Sequence, residues 1–360
     1  MKIALTHDYL NQYGGAERVL EAFCELFPDA PIYTLFYDKE KTFGKFEGRE
    51  IKTSFLDSKA VNRNHRYFIP AMPLAASLMN VDGDFDVILS SSAGYAKGIR
   101  KERCQHVVYC HTPLRYAWEY PRYFGNFALR TLAMPVFESL KLWDYRAGQN
   151  PDIILANSNY IAGKIKKYYG RGSEVIYPPV DNKVFYHDTN IKKQDYFLAV
   201  GRMIHYKKFD LIIDVFNKNN LPLLIVGEGP ELAGFKKKAK SRKIRFLPFV
   251  DVNDLRYLYN SAKALIFPQV EDFGLVAAEA QACGTPVIAL NEGGAREIIE
   301  DGITGILFNE QSPASLENAV KRFFNSSFDG KLISESAGRF SKEEFKKKIL
   351  AVVNGVILSK

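Results

Sequence analysis

The chain has 360 residues, of which 47% are hydrophobic and 25% are charged, and its formal net charge is +8. This length exceeds one ordinary core and predicts two α/β domains, and the composition excludes a disordered chain. The basic residues are spread along the sequence, which argues against a nucleic-acid partner. No apolar run is long enough to span a bilayer. Asp8 interrupts the first apolar run before a signal-peptide core could form, so the expected location is the cytoplasm.

The four cysteines are Cys24, Cys104, Cys110 and Cys283. They show no CxxC spacing and lie in apolar segments, which predicts reduced core thiols instead of a zinc or redox site. The histidine next to Cys110 does not make a nucleophile–base pair with it, because neighbouring residues of a strand point to opposite faces of the sheet.

The first half of the chain begins with a strand, a glycine loop and a helix. KIALTHDY is an apolar run, QYGGAE follows it, and ERVLEAFCELF has the spacing of an amphipathic helix. Further apolar runs predict strands at DVILSSS, HVVYCHT, DIILANS and EVIYPPV. Helical stretches separate most of them, which favours a parallel sheet wound from βαβ units over residues 1–180.

The second half repeats this construction. DYFLAVGRM runs through a glycine and a basic turn into the helical stretch FDLIIDVFNK, and PLLIVGEG, IRFLPFV, KALIFPQV and TPVIAL predict further strands. We predict a polar, proline-containing linker at 181–194 and a second domain at 195–340. Residues 341–360 predict a helix that packs back toward the first domain. Its apolar residues with helical spacing are Phe345, Ile349, Val352 and Val353.

The strongest single signal is EDFGLVAAE, which runs from Glu271 to Glu279 after the strand KALIFPQV. Gly274 stands where a helix begins, and the unpaired N–H groups and dipole of a helix start suit a diphosphate. A carboxylate in the loop and another in the helix can hold vicinal hydroxyls, such as those of a sugar and a ribose.

Two loops that follow the first strand of each half are candidate ligand loops. Arg202 and Lys207 follow the strand of the second half, where doubly wound sheets bind ligands, and two cations there can neutralise a diphosphate. Gly14 and Gly15 lie in the first half, where glycine permits positive φ and close approach of a substrate. The alternatives are solvated surface charges for the cations and a plain helix-capping turn for the glycines.

These segments resemble the large retaining glycosyltransferase family 4, which has the GT-B fold. The resemblance runs through HDYLNQYGGAERVL, ANSNYIAGKIKKYYG, IYPPVD, VGRMIHYKKFDLII and PQVEDFGLVAAEAQACGTPVIALNEGGAREIIEDGITGILF. Within the family, YCHTPLRYAWEY is most similar to bacterial mannosyltransferases of surface-polysaccharide assembly, which make lipopolysaccharide or exopolysaccharide. The resemblance implies an α/β architecture in which two Rossmann-like parallel-sheet domains face a cleft.

The resemblance also implies roles for individual residues. The catalytic set would be Glu271, His111, Arg202 and Lys207. The donor would contact Gly14, Gly15, Glu228, Phe249, Val250, Phe273, Gly274, Leu275 and Glu279, with the backbone of Phe249 and Val250 reading the base edge. His7 and Asp8 end the first strand and are acceptor-side candidates. A histidine at a strand end, such as His111, is also a common structural residue.

The implied reaction moves a sugar from a nucleotide diphosphate to an acceptor with retained anomeric configuration. It needs no metal or other cofactor, because fixed cations and a helix start balance the charge of the departing nucleoside diphosphate. Asp82, Asp84 and Asp86 resemble a DxD metal motif but precede a strand, so solvated turn carboxylates are favoured. We expect GDP-mannose as the donor and a polyprenyl-diphosphate-linked or other lipid-linked saccharide as the acceptor.

Other functions compatible with this fold stay open at this point: a UDP- or dTDP-sugar transferase, a phosphorylase, a nucleotide-sugar epimerase and a non-catalytic partner subunit. A nicotinamide dehydrogenase is disfavoured, because no complete GxGxxG follows the first strand. Residues 126–146 combine bulky apolar residues with Arg130, Lys141 and Arg146. They predict either peripheral contact with anionic lipid headgroups or a core-packed helix pair, kinked or divided at Pro135.

Overall fold

The computed structural model describes residues 1–101, 103–119 and 127–358. The chain divides into two compact units, one formed by Met1–Pro179 with Phe345–Lys360 and the other by Val180–Glu344. Each unit is built on its own parallel sheet, as the sequence predicts.

The first unit holds a sheet in which seven strands are described, in the order β3-β2-β1-β4-β5-β6-β7. These strands are β1 (Ile3–His7), β2 (Ile32–Thr34), β3 (Ile51–Thr53), β4 (Val87–Ser92), β5 (Gln105–Cys110), β6 (Ile153–Ala156) and β7 (Glu174–Val175). The α-helices are α1 (Gly15–Leu26), α2 (Lys59–Asn64), α3 (Met72–Leu78), α4 (Arg115–Trp118), α5 (Phe127–Ala147) and α6 (Asn159–Tyr169). Single 3₁₀ segments occur at His65–Ala71 and Ala96–Gly98.

The second unit holds a sheet with six described strands in the order β10-β9-β8-β11-β12-β13. They are β8 (Phe197–Val200), β9 (Leu223–Val226), β10 (Ile244–Leu247), β11 (Leu265–Phe267), β12 (Val287–Leu290) and β13 (Gly305–Phe308). The α-helices are α7 (Phe209–Asn219), α8 (Leu232–Lys238), α9 (Val252–Ser261), α10 (Leu275–Ala282), α11 (Ala295–Ile298), α12 (Pro313–Phe324), α13 (Gly330–Ala337) and α14 (Lys342–Leu358), the last of which crosses into the first unit. Single 3₁₀ segments lie at His205–Lys207 and Gly338–Phe340.

Both sheets reverse their strand order beside the first strand of the unit, between β1 and β4 and between β8 and β11. The central strands are continuous apolar runs because helices cover both faces of a parallel sheet, and β1, β4, β9 and β12 are buried along their whole length. In a doubly wound sheet, ligands bind at the carboxyl ends of the strands at this reversal. The strand order therefore selects two groups of loops as candidate ligand loops.

Helix α14 packs on the first unit from Phe345 onward. The Phe345 ring stacks on Phe23 at 5.9 Å and meets the ring of Tyr109 edge-on at 5.5 Å, and Ile349, Val353 and Val356 join the same core. An apolar stripe near the end of the sequence thus completes a core that begins with β1 and α1.

The segment predicted as a linker differs from the prediction. Residues 180–194 belong to the second unit, where the N–H of Asp188 donates to Asn260 Oδ1 at 2.8 Å and that of Gln194 donates to the carbonyl of Ser261 at 2.7 Å. Low periodicity marks this segment as irregular, but two of its backbone N–H groups donate to residues of α9.

Of the two effects predicted for Pro135, a kink or a division, the division does not occur, since α5 runs from Phe127 to Ala147 with Pro135 inside it. No helix of the described ranges combines the length and the apolar character that a membrane span requires. Cys24, Cys110 and Cys283 are buried, Cys104 is half-buried, and all four are free thiols. Burial raises the pKa of Cys24 and of Cys283 to about 12, so both stay protonated.

Candidate active site

In the second unit, the loops after β8 and β11 bring a predicted cation and a predicted carboxylate together. Lys207 Nζ lies in direct contact with Glu271 Oε1, and both side chains are largely buried, at 15% and 19% exposed. Arg202, in the loop after β8, is exposed and forms no ion pair among the described residues. One predicted cation is therefore committed to Glu271, while the other is open to an anion.

Close backbone packing sets the loop after β8 against the loop after β9. Gly227 has a φ of +137°, and a Cβ there would lie 2.1 Å from the carbonyl oxygen of Gly201. The N–H of Met203 donates to the carbonyl of Glu228 at 2.7 Å. Only glycine fits the contact, and it places the exposed Glu228 in the loop that packs against the one carrying Arg202.

Helix α10 begins at the predicted glycine. Gly274 is its N-cap with a φ of +107°, and no side chain caps this end. The loop before α10 packs closely on Gly294. The N–H of Gly294 donates to the carbonyl of Glu271 at 2.9 Å, and a Cβ on Gly294 would lie 2.1 Å from the carbonyl oxygen of Phe273. The first N–H groups of the helix, starting at Leu275, are thereby held beside Glu271, as an anion site requires.

The remaining predicted donor contacts differ in accessibility. Glu279 is only 2% exposed and accepts a hydrogen bond from Tyr259 Oη at 3.2 Å. Phe273 is buried and its ring meets Phe340 edge-on. Phe249 is 80% exposed and Val250 half-buried, both in the loop between β10 and α9. Glu279 is thus a buried, hydrogen-bonded carboxylate and not a solvent-exposed one.

In the first unit, the ends of β1, β4 and β5 form a chain of polar contacts. Ser91 Oγ lies 3.1 Å from His7 Nδ1 and 2.8 Å from His111 Nε2. On its other side, His7 Nε2 lies 3.5 Å from Glu17 Oε1. His7, Ser91 and Glu17 are buried, whereas His111 is half-buried. The two predicted histidines are therefore joined through a serine, and His7 also contacts a glutamate; the sequence reasoning selected neither residue.

The glycine loop does not use the positive φ that glycine permits, and its donor contact stays a prediction. Gly14 has φ −147° and is the N-cap of α1, and neither Gly14 nor Gly15 is among the residues with positive φ. An N-cap residue is extended by nature, and here the N–H of Gly14 donates to Glu17 Oε2 at 2.8 Å. This is the helix-capping alternative. The capping pattern Gly14-x-x-Glu17 is the sequence signal that could have singled out Glu17.

The carboxylate of Asp8 is hydrogen-bonded to the loop that follows β4 in the first unit. Its carboxylate accepts hydrogen bonds from the N–H groups of Ala93 at 2.6 Å, Tyr95 at 2.8 Å and Ala96 at 2.6 Å, and from the hydroxyl of Ser92 at 3.1 Å. It is 4% exposed. Asp8 therefore shapes the loop that follows β4, and an acceptor would meet that loop before it met the carboxylate.

Each of the three aspartates of the DxD-like segment contacts a group of the protein. Asp86 Oδ2 accepts from the N–H of Lys2 at 2.9 Å, Asp84 lies 3.7 Å from Lys2 Nζ, and Asp82 Oδ1 accepts from Asn80 at 2.6 Å. Within the described ranges, no group of three or more His, Cys, Asp or Glu side chains is arranged to hold a metal ion.

Comparison with known protein families assigns each unit. The model named Glycosyltransferase Family 4 matches residues 13–184, and the model named Glycosyl transferases group 1 matches residues 183–346. An uncharacterized glycosyltransferase of Methanocaldococcus jannaschii is 24% identical over 355 residues, which cover 95% of this chain and 94% of the relative.

Solved structures share the whole architecture. HepE of Anabaena in complex with UDP superposes with a TM-score of 0.72 at 19% identity, over 99% of this chain and 100% of that one. The lipopolysaccharide outer core galactosyltransferase WaaB superposes with a TM-score of 0.71 at 18% identity, over 100% of this chain and 99% of that one. At these identities the likeness establishes the fold.

Two Rossmann-like units, the two family matches and these structural neighbours define a GT-B glycosyltransferase, so the chain is a transferase enzyme. Its two domain matches, which follow each other along the chain, make it a glycosyltransferase family 4-like protein.

Proposed function

We propose that the protein transfers a sugar from a nucleotide diphosphate to a saccharide acceptor with retention of anomeric configuration, and that the residues after β8 and β11 hold the donor diphosphate. The observation that carries this proposal is the contact of Lys207 with Glu271 next to the uncapped start of α10. Arg202 adds an exposed cation without a carboxylate partner in the described part of the chain. A cation, a guanidinium and free N–H groups together match the charge of a diphosphate.

In this proposal the second unit compensates the negative charge that develops as the nucleoside diphosphate leaves. Arg202 binds phosphate oxygens through two N–H groups, while Lys207 acts as a point charge whose position is fixed by Glu271. His111 of the first unit contacts the donor sugar, and the leaving phosphate takes the proton of the acceptor hydroxyl on the face that it leaves. This keeps the new bond on the same face as the old one.

The donor and acceptor of the proposal are GDP-mannose and a lipid-linked saccharide of cell-surface polysaccharide. The mannose assignment rests on the YCHTPLRYAWEY segment, and the acceptor class is supported by the likeness to WaaB, a lipopolysaccharide outer core galactosyltransferase. A UDP-sugar is the second candidate donor, because HepE is bound to UDP.

The donor is tested by measuring thermal stabilisation and hydrolysis with GDP-mannose, UDP-glucose, UDP-galactose and dTDP-glucose in parallel. Selective stabilisation by GDP-mannose, followed by transfer with an α-linked product on NMR, supports the proposal. A β-linked product contradicts retention, and an epimerised nucleotide sugar formed without acceptor contradicts transfer itself.

We expect transfer to persist at full rate in excess EDTA, because protein cations perform the charge compensation that a divalent ion performs in metal-dependent transferases. The measurement is the initial rate before and after chelation, with a manganese add-back. Loss of activity that manganese or magnesium restores contradicts this prediction and directs attention to Asp82, Asp84 and Asp86.

We further propose peripheral contact between the first unit and an anionic membrane surface. The predicted segment offers less charge for this than its sequence indicates, because Lys141 lies 3.8 Å from Glu138 and over the Trp118 ring at 5.3 Å. The side chain of Arg130 lies outside the described residues. On α5, Phe137 and Leu140 are buried in the core, as the core-packing alternative predicts.

A stronger candidate surface lies at residues 55–78, which we call the α2–α3 surface. Its exposed apolar side chains are Phe55, Tyr67, Leu74 and Leu78. Its exposed cations are Lys59, Arg63 and Arg66, none of which has a carboxylate partner in the part of the chain described. The surface adjoins α5, since Trp143 Nε1 donates to Ser77 Oγ at 3.0 Å. Apolar residues with unpaired cations are the combination that an anionic lipid surface attracts.

We expect co-sedimentation with vesicles of phosphatidylglycerol and phosphatidylcholine that weakens with salt, each cation contributing about 1 kcal/mol near the surface. The double variant Arg63→Glu/Arg66→Glu should lose this binding, whereas Lys141→Glu should retain most of it. Equal losses of binding in both variants would favour α5 as the membrane contact. A wild-type protein that does not bind vesicles at low salt would contradict membrane contact altogether.

A further inference from the structure

Glu17 contacts His7, and Ser91 contacts both His7 and His111. Neither Glu17 nor Ser91 takes part in the chemistry proposed above. Glu17 is the third residue of α1, and its carboxylate is 1% exposed. Burial raises the pKa of this carboxyl, but the hydrogen bond and charge of His7, with the N–H groups of Glu17 and Gly14, outweigh burial and hold the pKa below its usual value. Glu17 is therefore an anion, and it accepts hydrogen from His7 Nε2.

Ser91 has three hydrogen-bonding neighbours and only one hydrogen to donate. Its Oγ lies 3.1 Å from His7 Nδ1, 2.8 Å from His111 Nε2 and 3.3 Å from the carbonyl of Ala16. If His7 is neutral, with its hydrogen on Nε2, Ser91 must donate to His7 Nδ1 and accept hydrogen from His111 Nε2. If His7 is charged, its Nδ1–H donates to Ser91, and the serine hydrogen becomes available to His111 Nε2.

We propose that Glu17 and Ser91 are positioning residues: Glu17 holds the charge state of His7, and Ser91 transmits that state to His111, selecting which imidazole nitrogen of His111 carries hydrogen. The consequence for catalysis rests on the proposed function, in which His111 contacts the donor sugar. The contacts themselves lie wholly within the first unit.

The tyrosines near this chain of contacts stay protonated near neutral pH. The Tyr109 ring lies 5.2 Å from that of His111, and burial raises the pKa of Tyr109 well above 10. Burial is also the main cause that raises the pKa of Tyr9 and of Tyr13, with Glu17 among the further causes.

The first test uses the whole protein without substrate. Imidazole ¹⁵N shifts of His7 and His111 are followed from pH 5 to 9 in wild type, Glu17→Gln and Ser91→Ala. In wild type, we expect the ¹⁵N shifts of the two histidines to change with a shared midpoint. In Glu17→Gln that midpoint should move to lower pH. In Ser91→Ala the shifts of His111 should no longer follow those of His7. The proposal is overturned if the two histidines titrate independently in wild type. It is also overturned if His7 keeps one charge state over the whole pH range both in wild type and in Glu17→Gln.

Glu17→Gln separates charge from helix capping, because glutamine can also accept hydrogen from the N–H of Gly14. Glu21→Gln is the matched control, since Glu21 is another carboxylate of α1 and its contacts are with Tyr13 and Lys45. Its shifts and activity should equal those of wild type, with the fold checked by circular dichroism.

The second test measures activity. We expect kcat to fall about tenfold in Glu17→Gln and in Ser91→Ala, with KM for the donor little changed and the acid limb of the kcat/KM profile moved in Glu17→Gln. The double variant should lose little more than either single variant, because both break one chain of contacts. Additive losses with an unmoved pH profile indicate a purely structural role and overturn the proposal. Coupled shifts in a protein without transferase activity would instead contradict the proposed function alone.

Discussion

Replacing Lys207 with alanine is expected to lower kcat/KM by roughly ten- to hundredfold or more. A hydrogen bond to a charged group contributes about 1.5–3 kcal/mol, and about 1.4 kcal/mol corresponds to a factor of ten in rate. The same change removes the partner of Glu271 Oε1. The side chain of Glu271 is only 19% exposed, so its charge would then be largely buried and unpaired. Arg202→Ala should also cost roughly ten- to hundredfold, but it leaves no carboxylate unpaired, so Lys207→Ala should be the more damaging change.

Steady-state rates with saturating acceptor measure both effects. Lys237→Ala is the matched control, because Lys237 is an exposed lysine of the same unit on α8, away from the loops after β8 and β11. A double-mutant cycle of Lys207→Ala with Glu271→Gln should show strong coupling, because the two side chains are in contact. Near-normal rates in both Arg202→Ala and Lys207→Ala would exclude these cations from the reaction.

Asp144→Ala is expected to destabilise the first unit by about 3–5 kcal/mol, because it leaves a buried cation without its partner. Lys97 Nζ lies 2.6 Å from Asp144 Oδ1, and the two side chains are 2% and 0% exposed. Trp118 Nε1 and Tyr169 Oη each donate to Asp144 Oδ2 at 2.7 Å. Removing the carboxylate therefore leaves two polar hydrogens without an acceptor, and leaves the buried Lys97 cation with the carbonyl of Gly94 but without this counter-charge.

Urea unfolding followed by tryptophan fluorescence measures this loss, since both tryptophans of the chain, Trp118 and Trp143, lie in the first unit. Lys97→Met should cost less than Asp144→Ala, because methionine keeps most of the volume and the carboxylate keeps two donors. Glu47→Ala, which breaks the exposed contact with Lys39, should leave the unfolding midpoint unchanged. Equal destabilisation in Asp144→Ala and Glu47→Ala would show that the buried pair does not stabilise the unit.

Much of the fold could be predicted because its signals are local. The strands of both units are apolar runs of the length that a buried parallel strand requires, and the periodic residues of α14 pack as their spacing predicts. Strands β2, β3 and β13 were missed. β2 and β3 are three residues long, and β3 is largely exposed, which leaves little pattern to detect.

The sequence by itself determined the helix start at which the donor diphosphate is proposed to bind, because the start of α10 is a local feature. Gly274 sits between a strand and a helix, and that placement alone creates free N–H groups next to Glu271. The cations after β8 could be assigned from the rule that ligands bind at the carboxyl ends of parallel strands. These inferences need only the order of elements along the chain.

Only the tertiary structure decided which loop residues meet. Lys207 contacts Glu271 because β8 and β11 are neighbours in the sheet, although the two residues are 64 positions apart in sequence. His7 reaches Ser91 for the same reason, since β1 lies beside β4. Strand order depends on the packing of helices over both faces of a sheet, which no single segment encodes. The same packing lets Asp8, which is predicted on the acceptor side, hold the loop after β4 through hydrogen bonds, and it brings Glu17 and Ser91 into contact with the predicted histidines.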